Sequence, residues 1–333
     1  QGLPSGGTPM NMTMVQAINR ALAGEMERDG RVVVFGEDVG RDGGVFRATE
    51  GLFDRFGPER VMDTPLAESA AIGAALGMAA LGLRPVPEIQ FMGFIYPAFN
   101  QIVSHVARMR NRTRGRFTAP LTIRTPYGAG VKALEHHSES TEALFCQIPG
   151  LTVVVPSSPY DAKGLLIASI RGDDPVIFLE PTKLYRAEKQ EVPEEPYELP
   201  LRKAAVVREG RDLTIIAWGA MIPVAREAAA SAEAGGVSAE IVDLRTLSPM
   251  DRETFLASVK KTGRALVLHE APRTCGLGAE IAATIGESAL LSLNAPVARV
   301  TAPDITVPLP KSEDLYYPNA ERVLRAIRML MEY

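Results

Sequence analysis

The sequence predicts an α/β protein of two consecutive domains, each a doubly wound parallel sheet. Three observations carry this. Helical and strand patterns alternate almost from end to end. The strand candidates are continuous apolar runs, as parallel strands covered by helices on both faces require. The 333 residues, about twice a common domain, change character once, between Pro181 and Pro200. There the composition turns to charge and proline (AEKQEVPEEPYELP, 187–200), which cannot bury a core face and reads as a linker. The expected division is a flexible arm at 1–9, a first domain at 10–190, a linker at 191–203 and a second domain at 204–333.

Each element has a local reason. Thr13 is placed to cap a helix whose Met14, Ile18, Ala21, Leu22 and Met26 recur at helical spacing. A β-branched strand, Val32 to Phe35, ends at Gly36. The small-residue run Glu68 to Leu81 (ESAAIGAALGMAAL) reads as a helix, with Gly73 and Gly77 set for tight helix packing; the run is too short for a membrane dimer. Strands follow at Val86 to Phe91, Leu121 to Arg124, Leu151 to Val155 and Val176 to Leu179, with a helix from Asp161 to Arg171. Beyond the linker, strands Leu213 to Trp218, Ala239 to Leu244, Ala265 to His269 and Val297 to Thr301 alternate with helices Ile222 to Ala234, Arg252 to Lys261, Gly278 to Ser288 and Ala320 to Met331.

Composition excludes several classes. With 36 Lys plus Arg against 40 Asp plus Glu, the net charge of −4 argues against nucleic acid as a partner. No apolar run reaches the roughly 18 residues of a membrane span. The first nine residues lack the basic and apolar regions of a signal peptide. Two cysteines, Cys146 and Cys275, make neither a disulfide framework nor a zinc pair, which fits a reducing, cytoplasmic compartment.

The motifs each admit two readings. Gly276-Leu-Gly278, followed by Ala279, Glu280 and Ile281, opens a helix after the strand Leu266 to Leu268, as a dinucleotide phosphate turn would. Yet seven residues, His269 to Cys275, intervene, and Ile281 stands at the third-glycine position, so a helix-entry turn is the better reading. His136-His137-Ser138-Glu139 lies on a long loop after a strand, where an open α/β sheet binds its ligands; an idle surface pair is the other reading. Glu68 begins an almost wholly apolar helix. It is either an ordinary first-turn carboxylate or one in a dry neighbourhood that needs a proton or a partner. The aromatics Phe91, Phe94, Tyr96 and Phe99 suit a core or a flat ligand ring.

Together these pieces resemble a known family. GEDVGRDGGVFRATEGL (36–52), TPLAES (64–69), PEIQFMGFIYPAF (87–99), HHSES (136–140), PSSPYDAKGLL (156–166) and DPVIFLEP (174–181) look like the β subunit of the decarboxylating first component of 2-oxo acid dehydrogenase complexes. WGAM (218–221), VDLRTLSPMD (242–251) and KTGRALVLHEAP (261–272) agree, so the resemblance runs from about residue 10 to 333 in one register. It implies a transketolase-like pyrimidine-binding domain followed by a transketolase C-terminal-like domain. It also implies thiamine diphosphate with Mg2+, and an α2β2 heterotetramer that acylates a lipoyl-bearing acyltransferase component. Family members bind diphosphate and Mg2+ through a GDG motif with a later Asn. Asp42-Gly43-Gly44 and Asp29-Gly30 do not fit it, so those ligands are expected from the α subunit.

The resemblance implies roles residue by residue. Glu68 would hydrogen-bond a pyrimidine nitrogen and favour the imino tautomer that activates the thiazolium, its pKa raised by burial. His137 aligns with a histidine that moves a proton near the lipoyl step. Glu37, Leu66, Gln90 and Phe94 align with cofactor contacts. Gly93-Phe94 resembles pyruvate-type chains, whereas Pro97-Ala98-Phe99 and Glu180-Pro181 look branched-chain, so both substrate classes stand at this point. Two competing classes remain: a single-chain NAD(P)-linked oxidoreductase using Gly276, and a non-catalytic scaffold.

Overall fold

A computed structural model describes residues 9–333; the arm expected at 1–9 lies, apart from Pro9, outside the described residues. The first sheet collects β2 (Val32–Gly36), β3 (Val61–Asp63), β4 (Arg84–Glu88), β5 (Thr122–Tyr127), β6 (Thr152–Val154) and β7 (Val176–Pro181), all parallel. The second collects β9 (Ala205–Arg208), β10 (Leu213–Ala217), β11 (Ala239–Asp243), β13 (Ala265–Pro272) and β14 (Ala298–Ala302), parallel except for β9. Both sheets are thus predominantly parallel with helices packed on them, the α/β class expected from the apolar runs. Among the described residues no helix is long and apolar enough to cross a membrane.

Local signals account for the elements. Thr13 forms a capping box with Gln16: its own amide donates to Gln16 Oε1 at 2.9 Å, and its hydroxyl accepts from the Gln16 amide at 3.4 Å. Ser158 caps helix Pro159–Arg171 through the Asp161 amide at 3.1 Å, with Pro159 at the first helical position. The strand expected at Val86 to Phe91 is shifted to Arg84–Glu88. Beyond Glu88 the main chain turns into the short 3-10 turn Met92–Phe94, so Gln90 and Phe91 leave the sheet at its carboxyl end.

Three expectations change in the fold. The linker is a packed strap. Its Gln190–Val192 form β8, antiparallel to β1 (Met10–Met12), and Val192 is fully buried. Lys163 Nζ, itself enclosed, donates to the carbonyls of Glu194 and Glu195 at 2.7 and 3.1 Å. Tyr197 stacks on Tyr160 at 4.6 Å, and Leu199 presses so close to Gly164 that a Cβ there would stand 2.7 Å away. Polar composition hid this because the strap is held through its carbonyls and two or three large side chains.

The second change concerns β12 (Thr246–Ser248), which lies in the second half of the chain yet pairs antiparallel with β6 of the first sheet. The buried cores likewise run through both halves, with Tyr127 and Leu179 in one cluster with Trp218 and Leu244.

Third, the tight packing expected of Gly73 and Gly77 is not made among the described residues. A Cβ on Gly73 would meet only Gln101, at 3.7 Å, and one on Gly77 nothing within 4 Å. The apolar residues of helix Glu68–Ala80 go all round it, so Ala70, Ala74 and Gly77 form an exposed small-residue face that ends beside exposed Leu81.

Candidate active site

The sequence-selected residues gather at the carboxyl ends of β2 to β5, where an open parallel sheet leaves its crevice. Glu37 follows β2 directly, Glu68 opens the helix after β3, Gln90 and Phe94 follow β4, and His137 follows β5. Two groups form there.

The first is acidic. Glu37 is buried and its Oε2 has no hydrogen-bond partner. Burial raises its pKa, and the nearby charges of Glu68 and Asp38 raise it further. Gln90 Nε2 donates to Asp38 Oδ2 at 2.9 Å, bringing a residue of the β4 end onto the β2 loop. Asp38 holds a positive φ of 58°, in a turn closed by the Gly44 amide donating to its carbonyl at 2.8 Å. Glu68 itself is half-buried, not enclosed in the dry neighbourhood expected of it. The apolar residues that follow it are spread round the helix, some buried and some exposed, and the more buried carboxyl is Glu37. Leu66, two residues earlier, is 82% exposed.

The second group is aromatic. His137 packs edge-on against Phe91 at 4.6 Å and Phe94 at 5.1 Å. Its Nδ1 is buried without a partner. The loop is not wholly irregular: Glu135–His137 form a 3-10 turn. Gly93 lies against it so closely that a Cβ would stand 2.1 Å from the His136 carbonyl oxygen, which requires glycine at that position. The His136 ring lies beside that of His137, centroids 4.9 Å apart, rather than pointing elsewhere as expected, and its Nδ1 is 3.6 Å from Glu135 Oε1. The four aromatics divide between the two readings. Phe91 is buried, Phe99 packs on Phe145 at 5.6 Å, the Tyr96 hydroxyl donates to the Glu139 carboxylate, and Phe94 faces the histidines.

Gly276 and Gly278 do not form a phosphate turn. Cβ atoms there would stand 2.7 and 2.5 Å from ring atoms of His269, so the glycines make room for that ring. His269 is fully buried and stacks on Trp218 at 5.3 Å and 10°. Burial lowers its pKa to about 4, helped by Arg299 and Arg273. The only sequence support for a nicotinamide site is thereby accounted for by packing.

Sequence reasoning missed a buried carboxyl pair under the histidine loop. Burial pushes Glu142 up to about 7 and Glu270 up to about 8, and the Glu142 charge adds to the latter. The available signal was Glu270 itself, an acid inside the run ALVLHEAP.

Comparison with known proteins agrees with this architecture. Residues 10–188 match the family model "Transketolase, pyrimidine binding domain" and residues 202–323 match "Transketolase, C-terminal domain". The chain is 54% identical over 322 residues to the pyruvate dehydrogenase E1 component subunit beta of Bacillus subtilis (strain 168), covering 97% of this chain and 99% of that protein. It is 53% identical to the subunit of the same description from Acholeplasma laidlawii, over 96% of this chain and 98% of the other. A solved structure described as "Split gene transketolase, inactive beta4 tetramer" shares the fold with a TM-score of 0.78 at 24% identity, covering 96% of this chain and 99% of that one. Nearly its whole length thus places the chain in the family of pyruvate dehydrogenase E1 component β subunits, enzymes built on transketolase-like domains.

Proposed function

We propose that this chain carries the pyrimidine half of a thiamine diphosphate site in a pyruvate dehydrogenase, and that it works with an α subunit in an α2β2 heterotetramer. The observation that carries the reading is the buried Glu37 oxygen left unpartnered at the strand ends, near enough to Glu68 to feel its charge. Buried polar atoms are normally hydrogen-bonded, so this one fits a site completed by another group. Leu66 and Phe94 offer the apolar surface that an aminopyrimidine needs, and Gln90 and Glu37 the polar contacts. When bound, the cofactor supplies the nucleophilic carbon and electron sink that 2-oxo acid decarboxylation requires.

The residues of this chain would then divide the work. Glu68 holds and returns a proton at the pyrimidine ring nitrogen, which a half-buried carboxylate at a helix start does without full desolvation. His137, its ring wedged between Phe91 and Phe94, supplies the proton that a dithiolane sulfur takes up when the acyl group passes to the lipoyl-bearing acyltransferase component. The diphosphate and Mg2+ ligands come from the α subunit. The exposed small-residue face Ala70, Ala74, Gly77 and the exposed Leu66 and Leu81 support a partner surface there. Pyruvate rather than a branched-chain 2-oxo acid is supported by relatives carrying the pyruvate dehydrogenase description. Glu180, which pointed toward the branched-chain type, is instead buried in an ion pair with Arg124. Two unpaired cysteines support a cytoplasmic location.

The test is reconstitution. Alone, the chain neither binds thiamine diphosphate tightly nor releases CO2 from pyruvate; mixed with an α chain bearing GDG and the later Asn, it does both. Submicromolar binding by this chain alone, seen by calorimetry, contradicts the division of ligands. Faster turnover of 3-methyl-2-oxobutanoate than of pyruvate contradicts the substrate.

A further inference from the structure

The loop that carries His136 and His137, residues 128–141, is gripped by the second domain. The Tyr317 hydroxyl donates to the Ser138 carbonyl at 2.7 Å, both residues buried. The Gly130 amide donates to Glu313 Oε1 at 3.1 Å, and the Ala129 amide to Glu270 Oε2 at 3.4 Å. Glu270 is pressed against the turn, since a Cβ on Gly128 would stand 2.3 Å from its Oε1. At the surface Lys132 pairs with Asp314 at 2.8 Å. The first domain adds Thr182, whose hydroxyl donates to the Ala129 carbonyl at 2.6 Å, and the Tyr96–Glu139 contact.

This grip is polar where an apolar one would be cheaper. Glu313 Oε2 and Glu270 Oε1 stay buried without partners, as do both oxygens of Glu142 nearby. Leaving buried acceptors unpaired costs stability, whereas directional bonds to main-chain groups define a position that apolar contact does not. The bonds of Tyr317, Glu313, Glu270 and Thr182 end on the backbone of the histidine loop, and Ser138 is the residue next to His137.

We propose that Tyr317, Glu313 and Glu270 are positioning residues that fix the main chain of the 128–141 loop and thereby set where His137 stands for acyl transfer. The grip stands on its own contacts; its effect on acyl transfer rests on the role given to His137 above. A displacement of about 1 Å in a group that must meet a reacting atom is enough to lose roughly 100-fold in rate.

Two disruptive variants of the full chain, with one conservative control, test it. Tyr317→Phe removes one hydroxyl and keeps the ring; Glu313→Ala removes the acceptor for Gly130, while Glu313→Gln keeps one. In hydrogen–deuterium exchange of the full chain without ligand, amides of residues 128–141 exchange about tenfold faster in Tyr317→Phe and Glu313→Ala, the worth of about one hydrogen bond. Glu313→Gln restores near wild-type protection. In the reconstituted heterotetramer with free lipoamide as acceptor, kcat for acyl transfer falls about tenfold, the KM for pyruvate holds, and decarboxylation read with an artificial electron acceptor stays within about twofold. Unchanged exchange in both variants overturns the grip, and Tyr317→Phe decides alone if Glu313→Ala fails to fold. Faster exchange with undiminished acyl transfer overturns the link to His137 and tells against the role given to that residue. Equal loss in both assays also overturns the proposal, by moving the effect to decarboxylation.

Discussion

Arg124 and Glu180 meet side by side on neighbouring parallel strands, both wholly buried, through Nε–Oε1 and Nη2–Oε2 bonds of 2.7 and 3.0 Å. Glu88, on the strand to the other side, accepts from Nη1 at 2.8 Å, and the Tyr185 hydroxyl donates to Glu180 Oε2 at 2.6 Å. Burial works against the Arg124 charge, yet Glu180 and Glu88 more than offset it and hold its pKa above the usual range. Removing one partner from such a network strands the others. Arg124→Met is expected to lose about 3–5 kcal/mol of stability, read as a lower urea midpoint of the full chain. The triple variant in which Glu88 and Glu180 also become apolar residues of similar size recovers most of that loss. A single variant as stable as the wild type contradicts the network.

Glu68→Gln in the reconstituted heterotetramer tests the proton at the pyrimidine. Gln keeps the size and polarity but neither holds nor returns the proton, so exchange of the cofactor's thiazolium proton slows by about 10²–10⁴-fold. Exchange at the wild-type rate removes Glu68 from that role.

His137→Ala separates acyl transfer from decarboxylation. Acylation of a lipoyl acceptor falls by about 100-fold or more, while decarboxylation read with an artificial electron acceptor falls only modestly. His136→Ala has the smaller effect, since its ring is partly exposed and its Nδ1 is already engaged beside Glu135 Oε1. Equal losses in both assays move His137 to the earlier steps, and no loss in either leaves it an idle loop residue.

The buried carboxyls set a direction for the pH dependence of stability. Glu142 and Glu270 are pushed to about 7 and about 8 by burial, from an ordinary value of 4.5. In that interval the native chain keeps protons that the unfolded chain has released, so stability falls as pH rises and the contribution is gone above about 8. His269, lowered to about 4 from 6.5, acts oppositely, but only below pH 6.5. Asp243, raised to about 7 by burial and by Asp161, adds to the carboxyl trend. Thermal melting of the full chain is therefore expected at higher temperature at pH 6.5 than at pH 8.5. Glu270→Gln flattens that slope in part, because Glu142, raised by its own burial, still titrates. A melting temperature that rises from pH 6.5 to 8.5 contradicts the assignment.

Most elements were legible because their causes are local. A capping box at Thr13 and Gln16, a Ser158-Pro159 helix start and continuous apolar runs act over a few residues, and the structure forms helices and strands there. Strand-end position marked the His137 loop and Phe94 along the chain, whereas Glu37, Leu66 and Gln90 were reached only through the resemblance of their motifs; the fold brings these residues to the carboxyl ends of one sheet.

What lies far apart in sequence was decided only by tertiary structure. Periodicity carries no record of which strand a short segment will join, so β12 crossing to β6 and β8 closing on β1 were not to be read. Burial is likewise a sum over distant neighbours: it fell on Glu37 rather than Glu68, and it brought Glu142 close enough for its charge to act on buried Glu270. The G-x-G at Gly276 shows the same limit. Its glycines look like a phosphate turn along the chain, and only the fold brings the His269 ring into the space that their missing side chains leave.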